Sequence, residues 1–162
     1  MKKLILIIAL IFSFPLRAAA QEIDPSINIL DGAQIVSKNI PLQTNKFLGR
    51  KVLVMFWKYD CPPCRVEMLE FDKTRAALGK IPVILIIPKF TKLENSALQP
   101  AIKNGATIAI IGNNYSDVLG DLGDAEGGVP YSVLFNEKGK ACIANLGPTN
   151  AKIVKDMVRQ CD

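Results

Sequence analysis

The sequence predicts an α/β fold in which a mixed central sheet has helices on both faces. Through most of the chain, short apolar strand patterns alternate with helical patterns, which is typical of parallel strands joined by crossover helices. Near the C-terminus, two strand patterns flank a turn at residues 136–139, which indicates an antiparallel hairpin before a final helix.

The first twenty residues have the composition of a cleavable signal peptide. Two lysines follow Met1, residues 4–14 are almost wholly apolar, and residues 18–20 are alanines, a small-residue cleavage pattern. The apolar run is shorter than the roughly 20 residues that span a bilayer, so an uncleaved anchor is the less favoured alternative. We therefore expect a signal peptide at residues 1–20 and a single domain at residues 21–162. Cleavage would lower the formal net charge from +5 to +2.

The first part of the domain leads into a central strand. Residues 21–40 carry a weak pattern around the turn at Asp31-Gly32, which predicts at most a short hairpin strand. Residues 41–49 predict a loop or one helical turn. Residues 51–57 predict a central strand that helices cover on both faces, because residues 52–57 are apolar at successive positions.

A helix is predicted after Cys64 and ends at Gly79. Its apolar stripe consists of Cys64, Met68, Phe71 and Leu78, widened by Val66 and Leu69. Residues 81–87 then predict a second buried parallel strand, rich in β-branched side chains. Residues 93–104 predict another helix, in which Pro100 fits a first turn or a kink.

The remaining elements complete the sheet and its helical cover. Residues 107–111 predict a third apolar strand, and residues 115–122 predict a short helix. Val129-Pro130 leads into a strand, on which residues 140–146 pair back antiparallel. A last helix at residues 150–160 is expected to turn its apolar side inward. That side consists of Ile153, Val154, Met157 and Val158.

The chain has four cysteines and no histidine. Without histidine, Ser-His and Cys-His hydrolases, histidine-containing zinc or copper sites and c-type haem attachment are excluded. Basic residues are scattered among acids, so no positive stripe for nucleic acid is present. Export would favour two disulfides, Cys61 with Cys64 and Cys142 with Cys161. A zinc site made of all four cysteines is a weaker alternative, because a second Cys-x-x-Cys is missing.

The motif Cys61-Pro62-Pro63-Cys64 lies where the central strand ends and the helix begins. At a helix start the two sulfurs face the same side and can form a small disulfide. Unpaired backbone N–H groups and the helix dipole favour a thiolate at Cys61. Prolines suit the first turn, because their missing N–H costs nothing there. This position predicts a redox dithiol, with a static structural disulfide as the alternative.

These segments resemble the thioredoxin fold and, within it, the exported TlpA-like branch of thiol-disulfide oxidoreductases, of the ResA or cytochrome c maturation type. The matching segments are Phe56-Trp57, residues 61–67 (Cys-Pro-Pro-Cys-Arg-Val-Glu), an extra strand–helix unit at residues 81–104, and Gly128-Val129-Pro130. The resemblance spans about residues 30–160. It implies a thioredoxin-like fold with a βα insertion between the active-site helix and a cis-proline loop.

The resemblance also implies roles for the motif residues. Cys61 is expected to attack a partner disulfide, and Cys64 to resolve the mixed disulfide. Pro130 is expected to be a cis-proline that faces the sulfurs and turns the Val129 backbone toward a bound partner. Glu67 is the candidate acceptor of the Cys64 proton, unless it only stabilises the helix dipole.

Trp57 and Pro62 join Val129 in the predicted substrate-binding surface, although core packing is the favoured role for Trp57. Three positions depart from the family pattern. Asp60 replaces a tryptophan, and a carboxylate beside Cys61 should raise the thiol pKa and make the couple more reducing. Met55 replaces the buried acid of cytosolic thioredoxins, and Tyr131 replaces an acid after the cis-proline, which leaves partner specificity open.

The predicted function is an exported, periplasmic or otherwise extracytoplasmic, thiol-disulfide oxidoreductase that reduces disulfides in other exported proteins. We expect a monomer that has no metal and no cofactor beyond its redox-active disulfide. The resemblance implies that a membrane electron donor of the DsbD/CcdA type recharges it. One alternative is a DsbA-like oxidase or isomerase. The other is a non-catalytic thioredoxin-like module that binds proteins or handles metal.

Cys142 and Cys161 are expected to form a structural disulfide. Cys142 lies near the start of the last strand, and Cys161 ends the helix that returns along it. The strand spans about 16 Å and the helix about 18 Å, so the chain brings Cys161 back to the level of Cys142. A loop of this size predicts roughly 3 kcal/mol of stabilisation.

Overall fold

A seven-stranded mixed sheet forms the centre of the computed structural model, which describes residues 25–161. The strands are β1 (Gln34–Ile35), β2 (Ile40–Pro41), β3 (Val52–Phe56), β4 (Val83–Ile87), β5 (Thr107–Ile110), β6 (Tyr131–Phe135) and β7 (Ala141–Leu146). Their order across the sheet is β2-β1-β5-β4-β3-β6-β7. β3, β4 and β5 are mutually parallel neighbours, and the other pairs are antiparallel. The predicted mixed sheet is therefore confirmed.

Helices pack on both faces of this sheet. They are α1 (Pro62–Leu69), α2 (Phe71–Leu78), α3 (Lys92–Ala97), α4 (Gln99–Lys103), α5 (Tyr115–Asp121) and α6 (Ala151–Gln160), with short 3-10 helices at Ile27–Leu30, Thr44–Phe47 and Gly112–Asn114. Strand β3 alternates between two cores: Leu53 and Met55 face α1, α2 and α6, whereas Val54 and Phe56 face α5. Both faces of the central strand are thus apolar, as the sequence predicts.

The structure contains the predicted insertion. Two strand–helix units, β4 with α3 and α4, and β5 with α5, lie between α2 and Pro130. The prediction of one helix at residues 93–104 is wrong, because the helix breaks at Leu98 between α3 and α4. Pro100 lies in the first turn of α4, which is one of the two positions predicted for it. No helix within residues 25–161 has the length and apolarity needed to cross a membrane. The predicted signal peptide lies outside the described residues.

The single helix predicted after Cys64 is wrong, because the helix breaks at Glu70 between α1 and α2. The break has neither proline nor glycine. Instead, the Glu70 N–H donates to the Glu67 carbonyl, three residues back, at 3.2 Å. The Thr74 hydroxyl donates to the Glu70 carbonyl at 3.4 Å, a side-chain bond of the kind that bends helices.

The predicted width of the apolar stripe is also wrong. Cys64, Met68, Phe71 and Leu78 are buried, but Val66 and Leu69 are exposed. They lie on the side of α1 that faces away from the sheet, and the buried Glu67 occupies the inner face instead. An apolar surface therefore remains beside the cysteine motif.

The structure joins Cys142 to Cys161 by a disulfide, with a Cα–Cα distance of 5.4 Å. It links the start of β7 to the end of α6 across a sequence separation of 19. The pairing is the one that the sequence predicts, whereas its stabilising role stays a prediction.

Replacing both residues with alanine should lower the free energy of unfolding by about 3 kcal/mol, because the unfolded chain loses a crosslink. Urea denaturation of Cys142→Ala/Cys161→Ala measures this change. Disulfide reduction by the folded variant should continue at the wild-type rate. An unchanged free energy of unfolding would contradict a structural role for the bond.

Candidate active site

The cysteine motif follows β3 and lies at the carboxyl edge of the sheet. Cys61 is the N-cap of α1, and its sulfur accepts a hydrogen bond from the Cys64 backbone N–H at 3.2 Å. Pro62 and Pro63 have no N–H, so the Cys64 N–H is the first that the helix offers. The structure shows a Cys61–Cys64 disulfide with a Cα–Cα distance of 5.3 Å. On reduction, the helix end would favour a thiolate at Cys61.

The two sulfurs differ in accessibility. The exposed fraction is 8% for Cys61 and 0% for Cys64. Pro62 and Pro63, which follow Cys61, are both exposed. A partner therefore reaches Cys61 first, which agrees with the attacking role predicted for it and the resolving role predicted for Cys64.

The Val129-Pro130 loop lies against this disulfide. The peptide bond between the two residues is cis. The Val129 carbonyl oxygen lies 3.4 Å from the Cys61 Sγ, close enough to accept a hydrogen bond from the reduced thiol. Pro130 is buried, whereas Val129 and Gly128 are half-buried. The structure thus brings the Val129 carbonyl to Cys61 and places a cis-proline directly after it, as the resemblance implies.

The Trp57 side chain is fully buried, so of its two predicted roles it has the favoured one, core packing, and it does not form part of a substrate-binding surface. Its Nε1–H donates to the Cys64 carbonyl at 2.7 Å, which satisfies the indole and ties α1 to the end of β3. Tyr59, two residues on, is the aromatic side chain that reaches the surface, with its ring centroid 6.5 Å from that of Trp57. Alternation along an extended segment places residues 57 and 59 on the same face, so this pattern gave no signal that Tyr59 would reach the surface.

Glu67 lies one helical turn beyond Cys64 and is 2% exposed. Its Oε1 accepts a hydrogen bond from the Thr149 backbone N–H at 2.7 Å, and its Oε2 has no hydrogen-bond partner among the described residues. Burial raises the pKa of Glu67 from 4.5 to about 7, against the opposing effect of the Thr149 hydrogen bonds. A carboxyl that titrates near neutral pH can both accept and release a proton there.

Sequence reasoning missed Thr149, which holds Glu67 in place. Thr149 precedes Asn150, the N-cap of α6. Its hydroxyl shares a 2.8 Å hydrogen bond with Ser132 and accepts one from the Asn145 amide at 3.3 Å. The hydrogen bond between Glu67 and Thr149 joins residues 82 positions apart, so no local sequence pattern predicts it.

The positions that depart from the family pattern have different surroundings. Tyr131 points into the core, where its hydroxyl donates to the Leu122 carbonyl at 2.7 Å and burial raises its pKa. Met55 is also buried, whereas Asp60 is exposed next to Cys61. Of the three, Asp60 alone lies where a partner can meet it. Within residues 25–161, no acidic and cysteine side chains are grouped to hold a metal ion.

Comparison with known proteins agrees with this geometry. Sporulation thiol-disulfide oxidoreductase A of Bacillus subtilis (strain 168) is 27% identical over 165 residues, which cover 96% of this chain and 94% of that protein. The crystal structure of StoA from Bacillus subtilis matches with a TM-score of 0.58 at 19% identity, covering 78% of this chain and 93% of that chain. A thioredoxin-related protein from Neisseria meningitidis serogroup B matches with a TM-score of 0.64 at 23% identity, covering 76% and 93%.

These structural matches show the thioredoxin-like fold. The Redoxin family matches residues 19–159, which is nearly the whole chain. The chain belongs to the Redoxin family and is a thioredoxin-fold thiol-disulfide oxidoreductase of the TlpA-like kind.

Proposed function

We propose that the protein is exported and reduces disulfides in other exported proteins through Cys61 and Cys64. The observation that carries this proposal is the arrangement of the motif. The more accessible sulfur is the N-cap of α1 and faces the Val129 carbonyl, and the buried acid Glu67 lies one turn beyond the resolving cysteine.

The reaction begins when the reduced Cys61 thiolate attacks one sulfur of the partner disulfide. A Cys61–partner disulfide forms, and the second partner sulfur leaves as a thiolate. Cys64 then gives its proton to Glu67 and attacks the Cys61 sulfur. This step releases the other partner thiolate and leaves the Cys61–Cys64 disulfide. The partner gains two electrons, so the protein must be recharged by a dithiol donor, proposed to be a membrane protein of the DsbD/CcdA type.

Two acidic side chains beside the motif favour the reducing direction and oppose the effects of Arg65 and the helix end on the Cys61 thiolate. Asp60 is exposed next to Cys61, and ionised Glu67 adds a second negative charge beyond Cys64. Negative charge opposes a thiolate, so it favours the disulfide form of the protein and makes the dithiol a better electron donor. An oxidase needs the opposite balance, in which the reduced form is stabilised.

Two observations support export. The composition of residues 1–20 is that of a signal peptide, and the Cys142–Cys161 disulfide suits an oxidising compartment. The chemistry needs no cofactor beyond the Cys61–Cys64 disulfide.

Thiol trapping in intact cells tests the proposed direction. Rapid acid quenching followed by maleimide labelling should modify Cys61 and Cys64, because a donor keeps the active pair reduced. Cys142 and Cys161 should remain oxidised in the same sample and serve as the internal control. The Cys142→Ala/Cys161→Ala variant confirms which pair is labelled. A Cys61–Cys64 pair that is fully oxidised at steady state would contradict the reductant role and indicate an oxidase.

A further inference from the structure

An apolar groove lies beside the redox disulfide, between α1 and the pair formed by α3 and α4. It has a volume of about 320 Å³. Its lining includes Tyr59, Arg65, Met68, Leu69, Leu93 and Pro100. Tyr59 and Arg65 flank the cysteine motif in the sequence, so the groove is continuous with the surface that a partner must cover to reach Cys61.

The walls of the groove expose large aliphatic side chains. Leu69 of α1 is 82% exposed, and Leu93 of α3 is 57% exposed. Neither side chain belongs to the buried core of the fold. Covering such side chains removes apolar surface from water and so favours a partner that brings its own aliphatic groups.

The charge of the groove selects among apolar partners. Among the described residues that line it, Arg65 is the only charged one. The Arg65 guanidinium lies over the Tyr59 ring, with its Cζ 5.8 Å from the ring centroid. This contact keeps the guanidinium at the rim nearest the motif, where it can form a paired hydrogen bond with a carboxylate.

We propose that this groove binds the segment of the partner protein that adjoins its attacked cysteine. Aliphatic side chains of that segment pack on Leu69 and Leu93, and an Asp or Glu pairs with Arg65. The preferred substrates are therefore proteins in which the attacked cysteine lies next to aliphatic residues and an Asp or Glu. This inference rests on the proposed function and adds a sequence preference to it.

Three cyclic disulfide peptides of equal length test the preference. Their cysteines are flanked by Leu-Leu-Asp, Ser-Ser-Asp or Leu-Leu-Asn. Each is mixed with protein that has been reduced with dithiothreitol and freed of it, and the peptide dithiol is measured after an acid quench. Wild type should reduce the Leu-Leu-Asp peptide about tenfold faster than the Ser-Ser-Asp peptide. Wild type should also reduce the Leu-Leu-Asp peptide about threefold faster than the Leu-Leu-Asn peptide.

Matched variants assign these preferences to the groove. Leu69→Ser/Leu93→Ser should reduce the Leu-Leu-Asp and Ser-Ser-Asp peptides at about equal rates. Arg65→Gln should reduce the Leu-Leu-Asp and Leu-Leu-Asn peptides at about equal rates. Leu48→Ser is the control, because Leu48 is 54% exposed and lies before Gly49, whose N–H bonds to the hairpin at Glu137, away from the motif. It should keep both preferences.

A small neutral substrate separates this inference from the proposed function. Wild type, Leu48→Ser and Leu69→Ser/Leu93→Ser should reduce bis(2-hydroxyethyl) disulfide at equal rates, because that substrate does not fill the groove. If wild type shows no preference, or the groove variants keep it, the groove proposal is wrong while the reductase proposal stands. If wild type reduces neither the peptides nor the small disulfide, the proposed function itself fails.

Discussion

Replacing Cys61 with serine will lower the rate of disulfide reduction roughly a thousandfold or more, because the attacking thiolate is lost. Cys64→Ser will fail differently. Cys61 remains the N-cap of α1, and position 64 still offers its backbone N–H to the sulfur. The first attack therefore proceeds, but no thiol resolves the product. The variant should accumulate a covalent mixed disulfide with its partner, which non-reducing electrophoresis and mass spectrometry detect.

The comparison between the two variants tests the assignment of roles. Only the sulfur that a partner can reach should capture it, and Cys61 is the more exposed of the two. Capture by Cys61→Ser through the buried Cys64 would reverse the roles. The Cys142→Ala/Cys161→Ala variant is the control, since its active pair is intact and it should turn over without trapping a partner. A protein that acts as a non-catalytic binding module would show no trapped species in either variant.

The parts of the site that sequence predicts are those set by local patterns. Consecutive apolar residues indicate the covered strand β3, and the two prolines between Cys61 and Cys64 indicate a first helical turn. The strand–helix–cysteine lengths at the C-terminus are enough to place Cys142 beside Cys161. Each of these inferences depends only on backbone geometry within about 20 residues.

The parts that sequence reasoning missed depend on contacts between distant segments. Helical periodicity cannot show that the sheet accepts Glu67 rather than Leu69 on the inner face of α1, because the partner of Glu67 is Thr149. The sequence also cannot show that the buried Trp57 indole finds its hydrogen-bond acceptor in the Cys64 carbonyl. Both contacts involve residues at the functional site. They leave a buried acid under the disulfide and exposed leucine beside it, the two features from which its chemistry and its substrate preference are inferred.

Glu67→Gln will slow the resolution of a mixed disulfide about 100-fold at pH 8, because the proton acceptor for Cys64 is lost. In wild type, the rate of resolution should rise with pH and level off above about pH 7, where Glu67 is ionised. The variant should show no inflection there. The measurement starts from a preformed mixed disulfide and follows release of the thiol. Glu70→Gln is the matched control, since Glu70 is exposed and pairs with Lys73 at 3.1 Å.

The pH dependence of the free energy of unfolding gives a second test of the raised pKa of Glu67, and the direction of the expected change follows from that pKa. Folding raises the pKa of Glu67 from 4.5 to about 7, so between these values the native state binds more protons than the unfolded state. This contribution to stability is fully present below pH 4.5 and is lost as pH rises through 7. It amounts to about 3 kcal/mol. Relative to oxidised wild type, oxidised Glu67→Gln should therefore gain about that much in free energy of unfolding between pH 4.5 and 8, as measured by urea denaturation. Parallel pH profiles for the two proteins would show that Glu67 does not titrate near neutrality, and the proton-acceptor role would fail with it.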